Sequence, residues 1–364
     1  MMRITDVTVD LVDLDAEPLF QWRQGLPGSE PRLVGGVLRV WTSDGVIGEA
    51  HTRRGVIVKD VVERRLREEL IGANALSREY LWHRMWELDR VEEIPIYAFG
   101  LLDLALWDLA GKAANLPVHR LLGTFRESIP AYASTITYDS VEEYLDVADQ
   151  CLDRGFRAIK LHAWGDARRD ADLCRRLREH VGDDVELMYD GSAGFSFPDA
   201  VYLGKALGDA GYLWYEEPMR EFNVTAHRWL SDAVGVPLLV GETSDGAHMN
   251  MADFVATGCA TYVRTSATFK GGITGAMRIA HLAESFLLKA EVHGMGIAHQ
   301  HLCMAIPNTT YYEALVWGNP IQTGGEIRAD GTVAAPQTPG IGWSDSSTGD
   351  DRPRQNAAVA SARA

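Results

Sequence analysis

Two hydrophobic periods divide the chain. "MMRITDVTVDLVDL" (1–14) alternates apolar and polar residues as a half-buried strand does. "GGVLRVWTSDGVIGEAH" (35–51) adds two strand-like runs around Asp44-Gly45, a hairpin signal. From about 58 to 115 a helical period takes over. Within "YAFGLLDLALWDLAGKAANLP" (97–117), Leu101, Leu104, Ala105, Trp107 and Asp108 follow helical spacing, and Asn115 to Pro117 supply the stop. Strands followed by helices predict a separate α+β domain over residues 1–125.

From about 130 the pattern becomes a regular alternation. Strand-like runs occur at "PAYAST", "FRAIKLH", "VELMYD", "YLWYEE", "PLLVGE", "ATYVRT", "LLKAEVH" and "YYEALV". Helix-compatible segments at 167–181, 197–210, 224–234, 249–257, 273–286 and 296–306 separate most of them. Eight strands with intervening helices predict an α/β chain whose second domain, 126–317, is a (β/α) barrel. A doubly wound open sheet is the alternative, but no GxGxxG or P-loop pattern favours it. Polar and small residues dominate after Trp343, so 348–364 reads as a mobile tail.

Composition changes this picture little. At 364 residues, 46% apolar and 24% charged, the chain has the make-up of a soluble globular protein. A net charge of −16 argues against nucleic acid or an anionic membrane as a general partner. Cys151, Cys174, Cys259 and Cys303 are scattered and form no CxxC pair. Reduced, packed thiols and the lack of a signal-peptide pattern point to the cytoplasm.

The chemistry collects at strand ends. In five runs the last residue, or the one before it, is ionisable: His162, Asp190, Glu216, Glu242 and His293. Glu313 lies in the eighth run, and Lys160, two residues before His162, shares its strand face. A barrel gathers strand C-termini around one mouth. Asp190 to Glu216 and Glu216 to Glu242 are both 26-residue intervals, about one strand-plus-helix repeat, so three carboxylates converge. Like charges brought together call for a cation. All-oxygen ligation favours Mg²⁺, with Mn²⁺ as a substitute.

These residues carry a family resemblance. The helix "LLDLALWDLAGKAANLPVHRLLG", the "YEEP" at 215–218 and "KGGITGAMRIAHLAE" after the sixth strand resemble the enolase superfamily, and its mandelate racemase subgroup in particular. The resemblance implies an α+β cap over a modified TIM barrel, with one regular helix pair fewer than eight. It also implies that a segment at about 318–347 packs back on the cap. It implies Mg²⁺ ligation by Asp190, Glu216 and Glu242, with Glu217 facing away. The shared step would be abstraction of a proton α to a carboxylate.

In that subgroup the second strand ends in Lys-x-Lys; here Lys160 keeps the first position and His162 takes the second. Histidine is a competent base, with an ordinary pKa near 6.5 against about 10.4 for lysine. His293 and Glu313 fall at the subgroup's seventh-strand base and eighth-strand electrophilic acid. The aspartate that pairs with that histidine is replaced by Ser266, which leaves the dyad open; Glu291, on the same strand face as His293, is a candidate substitute. Lys270 reads as a loop lysine. "QWRQGLPGSE" (21–30) and "HTRRG" (51–55) match the two loops that close over the site, making Trp22, Arg23, His51, Arg53 and Arg54 candidate substrate contacts, with Ser266 beside them.

Dehydration of a sugar acid, an aldonate or aldarate, is the favoured reaction, because a histidine at the second-strand position suits a leaving hydroxyl. Racemisation, epimerisation or cycloisomerisation is the alternative. A Schiff-base aldolase using Lys160 and a non-catalytic sugar-acid binder are lesser ones. Relatives suggest a dimer or octamer by analogy only.

Overall fold

The computed structural model describes residues 1–14, 20–27 and 33–343. The expected tail at 348–364, the end of the C-terminal segment (344–347) and positions 28–30 of the first cap loop lie outside the described residues.

Alternation in the first run produces β1 (Ile4–Asp13), which pairs antiparallel with β2 (Val34–Thr42). The Asp44-Gly45 turn leads into β3 (Ile47–Thr52), completing a three-stranded sheet. The apolar helix Ile96–Ala114 lies directly on β3. At Gly48 any Cβ would fall 2.1 Å from the Ala105 carbonyl oxygen, so only glycine permits this approach. The helix stops at Asn115, which takes a left-handed φ of 54°.

The second half is the expected barrel. Its strands are β4 (Ser128–Thr135), β5 (Ala158–His162), β6 (Glu186–Asp190), β7 (Trp214–Glu216), β8 (Leu238–Val240), β9 (Tyr262–Thr265), β10 (Lys289–Val292) and β11 (Tyr312–Trp317). Neighbours are parallel in the order β10-β9-β8-β7-β6-β5-β4-β11. A helix follows each strand from β4 to β10, and among the described residues none follows β11. The molecule is therefore an α/β chain, a modified TIM barrel under an α+β cap.

The first of those helices, Val141–Asp153, was not among the expected segments. Its signal is a cap: the Ser140 hydroxyl accepts the Glu143 N–H at 3.2 Å. Further on, residues 332–334 pair with β4, the Ile341 N–H reaches Asp108 in the cap helix at 2.8 Å, and Trp343 donates to the Glu49 carbonyl at 2.7 Å. Asp103, on the same cap helix, accepts the Thr274 N–H and hydroxyl at 2.9 and 2.6 Å, tying the cap to the barrel helix Gly272–Ser285.

Among the described residues β10 and β11 share no ladder, and the seam is stitched by Glu291. Its fully buried carboxylate accepts the Thr309 hydroxyl (3.2 Å), the Thr310 N–H (3.1 Å) and the Thr310 hydroxyl (2.7 Å). It lies below the mouth and does not support His293. Glu291→Ala should therefore destabilise the barrel by about 3 kcal/mol, because three donors lose their acceptor. The denaturant midpoint checks this, and an unchanged midpoint would contradict it.

Candidate active site

The barrel interior is layered. Tyr132, Ala158, Met188, Trp214 and Leu239 form an apolar floor. Side chains two residues further along a strand face the same way, and on four strands of the barrel these are charged. Lys160 follows Ala158, Asp190 follows Met188, Glu216 follows Trp214, and Arg264 follows Tyr262. Ladder register sets His162 opposite Asp190 and Asp190 opposite Glu216 on three adjacent strands. Glu242 and His293 lie just beyond the ends of β8 and β10.

Lys160 is the hub. Its ammonium is 2.9 Å from Glu216 Oε2, 2.9 Å from Glu313 Oε1 and 3.2 Å from Asp190 Oδ2, with 1% of the side chain exposed. Burial works against its charge, but Glu216 and Glu313 outweigh that and hold its pKa well above the ordinary lysine value. Asp190 sits below the usual carboxylate range, since His162 and Lys160 overcome its burial.

Arg264 is the residue sequence reasoning missed. It is fully buried and grips Glu216 in a two-pronged contact, one prong at 2.7 Å, while donating to Tyr132 Oη at 3.0 Å. A signal existed: an arginine in "ATYVRT" two residues before Ser266 must share its inward face. Glu216 is thus held by two cations, with burial pushing its carboxyl up and Arg264 and Lys160 opposing.

The two histidines occupy opposite sides of the mouth, five strands apart one way and three the other. His162 donates from Nδ1 to the Thr135 carbonyl at 2.6 Å. A carbonyl only accepts, so Nε2, 3.1 Å from Asp190 Oδ2, is the nitrogen left to exchange a proton. Trp22 covers the ring at 4.7 Å between centroids. His293 Nδ1 lies 3.1 Å from Glu242 Oε2 and 3.2 Å from Glu313 Oε2. Burial lowers its pKa, but Glu242 and Glu313 raise it further, to about 10. Phe269 stacks on its other face.

Several expectations change. Ser266 does not touch His293: its Oγ lies 3.3 Å from His299 Nε2 and accepts the Thr268 and Phe269 N–H groups. Glu217 stands outside the group of candidate ligands Glu216, Glu242 and His293. The backbone turns at φ 37° immediately after β7, breaking the alternation, and its carboxylate accepts the Thr243 hydroxyl at 2.8 Å. Lys270 lies in a turn, as expected of a loop lysine, but its side chain is fully buried and donates to the Ser244 carbonyl at 2.5 Å. Glu313 lies between Lys160 and His293, which overcome its burial and hold its carboxyl well below the usual range, and it accepts the Gly294 N–H at 2.8 Å.

The cap loops reach the mouth unevenly. Arg23 donates from Nε to the Ser192 carbonyl at 3.1 Å and packs over Gly165 and Gly194, where a Cβ on Gly194 would meet it at 2.6 Å. It is a clamp between cap and barrel. His51 stacks on Trp343 at 4.9 Å, Arg53 is half-buried and Arg54 is exposed.

The residues fit a divalent cation. Glu216, Glu242 and His293 each offer a ligand atom within 4.8 Å of the others, and Asp190 lies on the adjoining strand. Glu242 Oε2 is buried and receives no hydrogen bond, with His293 Nδ1 3.1 Å away. A buried carboxylate oxygen without a donor suits a metal ion.

Comparisons with known proteins agree with this geometry. Residues 143–344 match the family model "Enolase C-terminal domain-like", and 29–123 match "Mandelate racemase / muconate lactonizing enzyme, N-terminal domain". The chain is 30% identical to 3,6-anhydro-alpha-L-galactonate cycloisomerase of Streptomyces coelicolor, over 84% of this chain and 87% of that one. It is 25% identical to arabinonate dehydratase of Saccharolobus solfataricus, over 83% and 86%. It superposes on D-glucarate dehydratase from Agrobacterium tumefaciens complexed with magnesium with a TM-score of 0.83, at 31% identity over 93% and 96%. The chain belongs to the mandelate racemase/muconate lactonizing enzyme family of the enolase superfamily.

Proposed function

We propose that this chain removes the proton α to the carboxylate of a sugar acid and expels the β-hydroxyl, giving a 2-keto-3-deoxy acid. The observation that carries this reading is the placement of His162 and His293 on opposite sides of a mouth lined by Asp190, Glu216 and Glu242. A divalent ion, Mg²⁺ or in its place Mn²⁺, held by those three carboxylates would offset the negative charge that builds on the substrate carboxylate.

His162 serves as the base in its neutral form: with its one proton on Nδ1 committed to the Thr135 carbonyl, Nε2 is open to take the proton from C2, and Asp190 beside it then stabilises the imidazolium. His293, protonated between Glu242 and Glu313, gives its proton to the hydroxyl leaving C3, which departs as water. The resulting enol tautomerises to the keto acid, so the net change is loss of one water. Lys160 and Arg264 hold Glu216 and oppose the upward push of its burial, and Glu313 orients His293 and Lys160. Trp22 shields His162, which limits water access to the base. Glu216 and Glu313 hold the Lys160 pKa well above the ordinary lysine value, which opposes the neutral amine that Schiff-base chemistry requires.

Cycloisomerisation is the second reading, favoured by the similarity to the Streptomyces cycloisomerase. There the same proton leaves but a ring oxygen departs in place of water. A screen of aldonates, aldarates and their anhydro or lactone forms with Mg²⁺ tests both. A keto acid one water lighter than its substrate supports dehydration. An isobaric keto acid supports cycloisomerisation, and inversion at C2 without a keto acid supports epimerisation.

A further inference from the structure

Glu242 is the one proposed ion ligand that does not close a strand. The β8–β9 ladder stops at Val240, so the Gly241–Ser244 segment that carries Glu242 lacks sheet hydrogen bonds to fix it. Its fixed points are side chains. Glu221 Oε1 accepts the Gly241 N–H and Glu221 Oε2 accepts the Thr243 N–H at 3.1 Å, so one carboxylate straddles Glu242. Glu217 holds the Thr243 hydroxyl at 2.8 Å, and Lys270 holds the Ser244 carbonyl at 2.5 Å. Glu221 and Lys270 are both buried.

This arrangement carries an electrostatic cost. Glu217, Glu221 and Glu242 are carboxyl groups packed together beside Lys270, and burial with mutual repulsion pushes Glu217 and Glu221 upward. An acidic residue behind another acid is unfavourable unless its position does something else. Glu221's two oxygens and the two N–H groups flanking Glu242 are a geometric match that no shorter or neutral side chain reproduces.

We propose that Glu221 is a positioning residue for the ion site: through the backbone on either side of Glu242 it sets the affinity for the divalent cation. The inference rests on the functional reading above, in which Glu242 is a ligand. Outer-shell partners of this kind change metal affinity by roughly 10–100-fold.

The test is calorimetric titration of Mg²⁺ into EDTA-stripped full-length protein, without substrate. Glu221→Asp keeps the charge but draws the carboxylate back by one methylene, so it cannot reach both N–H groups. It should bind Mg²⁺ about tenfold more weakly, and Glu221→Ala weaker still, toward about 100-fold. Glu221→Gln, which retains one acceptor, should fall between wild type and Glu221→Ala. Folding is followed by circular dichroism and the thermal midpoint of the stripped proteins. A wild-type affinity in Glu221→Asp would overturn the inference, since charge alone would then suffice. A lowered midpoint with unchanged affinity of the folded protein would overturn it too, leaving Glu221 merely structural. If the wild-type chain itself binds no Mg²⁺, the functional reading fails and the inference with it.

Discussion

His162→Asn should abolish exchange of the substrate α-proton and net turnover together, each by about 10²–10⁴-fold, the range that a positioned general base contributes. Asparagine suits the test because its amide can still donate to the Thr135 carbonyl that now receives the His162 Nδ1 proton. The fold and the backbone bond from Tyr144 Oη to the His162 carbonyl, at 2.6 Å, are left in place. Mg²⁺ binding should remain close to wild type, because Asp190 also keeps its contacts with Lys160 and the Ser192 N–H. His293→Asn should behave differently. With the base intact and the acid removed, exchange of the α-proton should persist while dehydration falls. Measuring exchange and product formation separately in the two variants assigns the roles. If His162→Asn retains exchange and His293→Asn loses it, the assignment is reversed.

Glu216→Gln should be the most damaging single change for the fold of the site. Glu216 is fully buried and is contacted by the Arg264 guanidinium and the Lys160 ammonium. An amide of the same size leaves both cations with one carboxylate fewer in a desolvated barrel. Removing one partner of such a buried network costs about 3–5 kcal/mol. The denaturant midpoint should fall accordingly, and Mg²⁺ binding should be lost with it. Arg264→Met in the same background should recover part of the stability, since it removes one uncompensated charge, but not the ion binding. A Glu216→Gln protein with wild-type stability would show that the pair is not what holds the centre of the barrel.

The barrel was legible because its strands are short, apolar and separated by amphipathic helices. His162, Asp190 and Glu216 were legible because parallel strands expose their C-terminal residues at one mouth, and the ladder sets the three side by side. What stayed hidden depends on packing that period alone does not encode. Arg264 reads as an ordinary strand residue until Glu216 is seen to claim it. Lys270 sits in a turn whose Thr268 and Phe269 are exposed, yet its own side chain turns inward to the Ser244 carbonyl, beside the Gly271 carbonyl that accepts from Trp82 of the cap at 2.8 Å. The position of Ser266 suggested a partner for His293; the serine instead closes a turn with Thr268 and Phe269 and lies against His299. Alternation does not extend to Glu217, because the backbone leaves the strand at that residue.

The most direct test of the proposed chemistry is the α-proton itself. Sugar acids should be incubated in deuterated water with EDTA-stripped protein, and deuterium at C2 followed by NMR before and after Mg²⁺ is added. Incorporation that depends on Mg²⁺, stops with EDTA and disappears in His162→Asn is the result expected. Exchange or turnover that proceeds unchanged in EDTA, or a substrate adduct on Lys160 trapped by borohydride, would contradict it.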